Sequence, residues 1–179
     1  MRQRPAGFTL IETATALAVV GLLAGIALPS LQGAAESARA GEAKAALLES
    51  WLASVNHAAV TGSEVVLCPG DTGGCRASVD WTHGWIAFAD LDGDRTRDPN
   101  ETLLKRMAPL HGRVHLRSTP GRVRLVFQPN GGNAGSNVTW TLCDGRGPGD
   151  AATLVMANDG RLRNGKPGAA AAQACMQAM

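Results

Sequence analysis

Two short runs in the chain put paired arginines behind a glycine: Gly121-Arg122-Val123-Arg124 and Gly160-Arg161-Leu162-Arg163. On an extended segment, residues i and i+2 point to one face. Arg161 and Arg163 then offer two guanidinium forks on one side, a shape suited to phosphate oxygens. Gly160 permits a tight approach, and Lys166 adds a third cation. Such contacts would grip a phosphate backbone without reading base sequence. The pattern is short, and its double occurrence shows how little it specifies alone. In the first run Val123, Leu125 and Phe127 alternate, which puts Arg122 and Arg124 on the solvated side of a strand, where they could extend a basic surface. The competing reading of the second run is a β-turn whose arginines meet Asp144, Asp150 or Asp159.

An acidic segment makes a different chemical suggestion. Asp90, Asp92, Asp94, Thr96, Asp98 and Glu101 take the spacing of an EF-hand-like calcium loop, closing glutamate included. Arg95 stands where that loop needs its sharp-turn glycine, Arg97 adds another cation, and the flanks read as strand and loop rather than helices. A self-neutralised acidic turn is the favoured reading, and no metal or cofactor is assigned. Enzyme chemistry finds no support: His57, His83, His111 and His115 are scattered, without a nucleophile elbow, a zinc-binding helix or a phosphate-binding glycine loop. Net charge is only +2, but it is segregated. No acid lies between Thr102 and Cys143, a stretch that carries Lys105, Arg106, Arg113, Arg117, Arg122 and Arg124.

The elements that must position these groups begin with an apolar run from Phe8 to Leu28, interrupted by one ionisable side chain, Glu12. Its length suits a helix across a bilayer core. Arg2 and Arg4 precede it, so the positive-inside bias keeps the start cytoplasmic and sends the rest of the chain outward. A carboxylate in hydrocarbon costs about 2.5–3.5 kcal/mol or more and should find a partner. A secretory signal peptide carries its apolar core before the cleavage site; here the apolar segment follows the Gly7-Phe8 junction and would survive processing. An ordinary signal anchor would explain neither that junction nor the place of Glu12.

Basic leader, Gly7-Phe8 and Glu12 together resemble the class III signal of type IV pilins and type II secretion pseudopilins. The resemblance implies cleavage after Gly7 by a membrane prepilin peptidase and N-methylation of Phe8. It also implies pairing of Glu12 with the amine of a neighbouring subunit's first residue as the filament assembles.

Pro29 removes a backbone donor and can kink a helix without ending it. Helical patterning resumes from Leu31 to about Val60, with Leu47, Trp51 and Val55 beside Leu48 and Leu52 as an apolar stripe, and Glu36, Arg39, Glu42, Lys44 and Glu49 on the solvated side. Beyond it, short runs bounded by Gly, Pro and Asn read as strands: Val65–Leu67, Gly84–Ala89, Arg113–Leu116, Arg122–Phe127, Asn137–Leu142 and Thr153–Met156. A long helix followed by strands predicts an α+β architecture with the helix packed on an antiparallel sheet. The expected division is a leader at 1–7, a membrane or filament-core helix at 8–28, its amphipathic continuation at 29–60 and a β-rich head at 61–179. Gly168 to Gln173, rich in alanine, reads as a loop. Four cysteines in a chain facing an oxidising compartment predict disulfides. The sequence favours Cys68–Cys75 with Cys143–Cys175 but does not choose among the three possible connectivities; a zinc site is disfavoured by the Cys68–Cys75 spacing. Asn137-Val138-Thr139 is a glycosylation sequon, read as coincidence behind a bacterial-type leader.

The head resembles the FimT/GspH family in Leu67-Cys68-Pro69, Cys75, Trp81, Gly84-Trp85-Ile86, the Asp90–Asp94 segment, Leu103-Leu104 and Phe127-Gln128-Pro129-Asn130-Gly131. This implies a type IV pilin-like fold and a low-copy minor pilin near a filament tip. Expected partners are other pilin subunits, the prepilin peptidase and the inner membrane. Gly160-Arg161-Leu162-Arg163 is similar to the GRxR motif with which FimT-type minor pilins bind double-stranded DNA in natural transformation. The rival expectation is a structural or substrate-contacting pseudopilin of type II secretion.

Overall fold

The computed structural model describes residues 7–177, so leader residues Arg2 and Arg4 lie outside the described residues. Helix α1 runs from Leu10 to Thr61, with Pro29 inside it. The chain divides into two compact units, one ending at Ala35 and one starting at Glu36. In the first unit, α1 opens with a capping box. The Thr9 hydroxyl accepts from the Glu12 N–H at 3.3 Å, and the Glu12 carboxylate accepts from the Thr9 N–H at 3.4 Å. Two orphan donors are thereby satisfied at the helix start. Leu10, Ile11, Leu17, Leu22 and Ile26 are all largely exposed, and α1 is long and apolar enough to cross a membrane.

The second unit packs the rest of α1 among nine strands, counted over the described residues. Strands β1 (Glu64–Asp71), β2 (Gly74–Cys75), β3 (Trp85–Asp90), β4 (Leu103–Met107) and β6 (Leu125–Phe127) make one sheet, in which β6 pairs with β1 beside the path β2-β1-β3-β4. Strands β5 (His115–Ser118), β7 (Val138–Cys143), β8 (Ala152–Met156) and β9 (Leu162–Gly165) form the other, in the order β5-β7-β8-β9. All pairings are antiparallel. The fold is therefore α+β, with two sheets where the sequence suggested one.

The helical face that enters the core is made of Glu36, Ala40, Ala43, Leu47, Ser50, Ser54 and Ala58. Steps of three and four keep these residues on one face. Five of the seven are alanine or serine, while Trp51 and Val55 sit at the margin and Leu52 stays half exposed. Glu36, expected on the solvated side, is buried and bonded to Arg39 at 3.1 Å. The Trp85 indole N–H donates to Ser50 Oγ at 3.0 Å, which ties helix to sheet inside the main core. Trp81 and Trp140 meet edge to face there at 5.8 Å, a geometry the ring quadrupoles favour. Alternate β1 residues Val66 and Cys68 face the other way, into a second cluster with Ile86, Phe88 and Val126.

Disulfides join Cys68 to Cys75 and Cys143 to Cys175. The second one docks α2 (Ala169–Met176), the segment expected to be a loop. Alanine is the best helix former, and Ala172 and Cys175 bury the inner face of α2 beside Cys143 and Ala151. Strands β4 and β9, like the two-residue β2, also went unanticipated. Both β4 and β9 are edge strands, and their exposed Arg106, Arg163 and Asn164 break the apolar alternation.

Candidate nucleic-acid interface

Both arginine runs owe their glycine to a turn. In the first, the Arg122 N–H donates to Thr119 O at 3.0 Å, with Pro120 and Gly121 between them and Gly121 at φ +82. Proline followed by a glycine of positive φ is the type II turn signature. In the second, Gly160 (φ +77) closes the β8–β9 hairpin, where the Ala157 N–H donates to Arg161 O at 3.0 Å. An L-residue with a side chain would be strained at either glycine. Residues 122–124 are not strand, contrary to the alternation read from the sequence: β6 starts at Leu125 and is buried throughout.

These turns converge on one surface. The Thr119 backbone N–H donates to Thr139 O at 2.9 Å, and the Thr139 N–H donates to Thr119 Oγ1 at 2.9 Å, clamping the first turn to β7. Thr139 faces Val155 on β8, and Val155 faces Arg163 on β9. The result is a groove of about 640 Å³ with Thr139 and Val155 among its lining and Arg122 and Arg163 both contributing. No carboxylate lines it. Asn137 Oδ1 accepts from Arg122 Nη2 at 2.5 Å, a neutral partner that orients the guanidinium without cancelling its charge.

The other candidates are placed differently. Arg161 precedes β9, is largely exposed and donates through Nε to Asp159 Oδ2 at 2.6 Å, the turn pairing weighed as the competing reading. Those contacts hold the Asp159 carboxyl below its ordinary value, the Arg161 backbone N–H first and its side chain second. Lys166 lines a separate recess beside α2 with Pro148 and Pro167. Arg124 is exposed and donates to Arg95 O at 3.3 Å.

The acidic loop spends its carboxylates on itself. Asp90, buried at 2 % exposure, accepts from the N–H groups of Gly93 at 2.9 Å and Arg95 at 3.1 Å. Glu101 accepts from Leu91 at 2.8 Å and Asp98 at 3.0 Å. Asp92 and Asp94 each accept from the N–H two residues on. Carboxylate oxygens of Asp90, Asp92 and Asp94 lie within 4.8 Å of one another. Burial raises the Asp90 pKa against the lowering effect of its two N–H donors. Arg97 does not neutralise these acids; it donates to Thr72 O at 2.7 Å and ties the loop to the β1–β2 turn.

Two features escaped the sequence reading though their signals were present. Thr9-x-x-Glu12 spells the capping box. Asp144-x-Arg146 is a short-range ion pair in which Asp144 Oδ1 and Oδ2 accept from Arg146 Nε at 2.9 Å and Nη2 at 2.7 Å.

An apolar, acid-capped leading helix continuing into a two-sheet α+β unit defines a class, the type IV pilin-like minor subunits of pili and secretion pseudopili. The family model described as Type II transport protein GspH matches residues 45–160, and the chain belongs to that family. The Prokaryotic N-terminal methylation motif matches residues 2–28. No curated protein matches the chain significantly in sequence. Among solved structures, the type IV minor pilin FimU of Pseudomonas aeruginosa (strain PAO1) superposes with a TM-score of 0.54 at 13 % identity, covering 78 % of this chain and 92 % of that one. The minor pseudopilin EpsH from the Type 2 Secretion System of Vibrio cholerae gives 0.50 at 16 % identity, covering 73 % and 98 %. At such identities the likeness is one of fold. The methylation motif and the apolar helix fit inner-membrane anchoring followed by assembly with other pilin subunits.

Proposed function

We propose that this protein is a minor pilin whose head holds double-stranded DNA for uptake in natural transformation. It is cleaved after Gly7, N-methylated on Phe8, anchored by α1 in the inner membrane with its head in the periplasm, and assembled near a filament tip through Glu12. The observation that supports DNA capture is the groove itself. Arg122, beside the first turn, and Arg163, on β9, share one concave surface and have no carboxylate among the lining. Arg161 is not among the lining and is partly occupied by Asp159. Phosphate contacts of this kind give sequence-independent, salt-dependent binding.

A second reading, a pseudopilin of type II secretion with a structural role, is favoured by the description of the matching family. Fluorescence anisotropy separates the two. The full chain in detergent micelles should bind a labelled duplex at low salt, with affinity falling steeply as salt rises, and the Arg122→Ala/Arg163→Ala pair should weaken it severalfold. Absence of binding by the unsubstituted chain at low salt would leave the secretion reading.

A further inference from the structure

We infer that the duplex-binding surface continues past the groove into a second phosphate pocket walled by Arg95, Arg122 and Arg124. This extension rests on the DNA-binding reading above. Arg122 is the joint: it lines both the groove shared with Arg163 and an adjoining recess of about 280 Å³ that also receives Arg95, Arg124, Ala134 and Ser136. No carboxylate lines the recess either. Among the described residues, Arg39, Arg76, Arg146 and Arg161 each pair with an acid, whereas Arg95, Arg122, Arg124 and Arg163, like Arg97, Arg106, Arg113 and Arg117, pair with none. What sets Arg95, Arg122, Arg124 and Arg163 apart is that they share the two adjoining spaces. Guanidinium groups gathered without a counter-charge repel one another, and an anion between them turns that repulsion into binding.

The backbone is shaped around the same recess. Arg95 (φ 63) and Ala134 (φ 47) are the two non-glycine residues of positive φ among the described residues, and both wall it. Arg95 is held there from two sides: its N–H donates to Asp90 Oδ2 at 3.1 Å, and its carbonyl accepts from Arg124 Nη1 at 3.3 Å. The acidic loop thus acquires a role, which is to carry an arginine to the end of the arginine track. A phosphodiester backbone fits a line of forks that share a member, since successive phosphates can occupy the groove and the recess together. No aromatic side chain lines either space, so there is no stacking platform for unpaired bases, and the duplex is the matching ligand.

Asp92 and Asp94, on the loop but outside the recess lining, would repel a strand that passes Arg95. The test uses the full chain in detergent micelles and anisotropy of a labelled duplex across a salt series. Arg95→Gly removes the guanidinium while accepting φ 63 without strain. Combined with Arg124→Gln, it should lower affinity severalfold and flatten the plot of log affinity against log salt by about 2, near 0.9 for each lost phosphate contact. Asp94→Asn should raise affinity. If the Arg95→Gly/Arg124→Gln chain binds and responds to salt as the unsubstituted chain does, while Arg122→Ala/Arg163→Ala is impaired, the recess is excluded and the groove stands. No binding by the unsubstituted chain at low salt overturns both.

Discussion

At the residue scale, two aspartates next to arginines do opposite things. Asp159 accepts from the Arg161 side chain, and on the DNA-binding proposal it would compete with phosphate for that guanidinium. Asp159→Asn should release that guanidinium, raise duplex affinity and steepen the salt dependence by about 0.9 in log–log slope, as read by anisotropy. Asp144 instead stabilises the fold. The hydrogen bonds from the Arg146 side chain outweigh burial and lower its pKa from the ordinary 3.8. With the folded pKa below the unfolded one, its contribution is complete above about pH 3.8 and is lost as pH falls through the folded value. Asp144→Asn should cost about 1.5–3 kcal/mol at neutral pH and remove that part of the acid transition in a denaturant titration. His115 acts at milder pH. Burial lowers its pKa from 6.5 against the opposing charge of Asp80, so stability should begin to fall as pH drops below about 6.5. His115→Gln should abolish that limb.

At the element scale, α2 depends on one covalent tie. Its eight residues are too few to hold a helix in water without tertiary support. The Cys143–Cys175 bond, spanning 32 positions in sequence, supplies that support and restricts the unfolded chain. Replacing both cysteines by serine should cost about 3–4 kcal/mol in denaturant unfolding. Hydrogen exchange should then report loss of protection in α2 before β7 or β8. The turn that carries Arg122 is held by β7, and Arg163 is held by the β8–β9 pairing, so duplex binding should persist, weakened by no more than the stability loss allows.

At the scale of the whole molecule, the first unit exposes an apolar helix with one acid, and the second exposes an arginine track. Glu12→Gln should leave membrane insertion intact and abolish incorporation into filaments, measured by fractionation of sheared filaments from membranes. A clean deletion should reduce transformation and spare protein secretion; the reverse pattern would favour the pseudopilin reading. Membership of the family and the α+β class were both legible beforehand, because leader, apolar length and cysteine spacing are local signals that survive without coordinates. The division of the arginines was not. Pro120-Gly121 and Asp159-Gly160 mark turns locally, but nothing local says that β7 and β8 bring Arg122 alongside Arg163.

The sequence by itself determined a leading helix of membrane length, one acid at its head, a run of short strands and the presence of two GRxR motifs. Those follow from composition and from periods of two and of three to four residues, which the chain displays to any reader. Only the tertiary structure decided which arginines lie together. It removed Arg161 to Asp159, joined Arg122 to Arg163 across three strands, and brought Arg95 from the acidic loop to Arg124. The first of these is a local turn contact that the sequence offered as an alternative; the other two are long-range and depend on which strands and loops meet, a fact held by no single stretch of the chain.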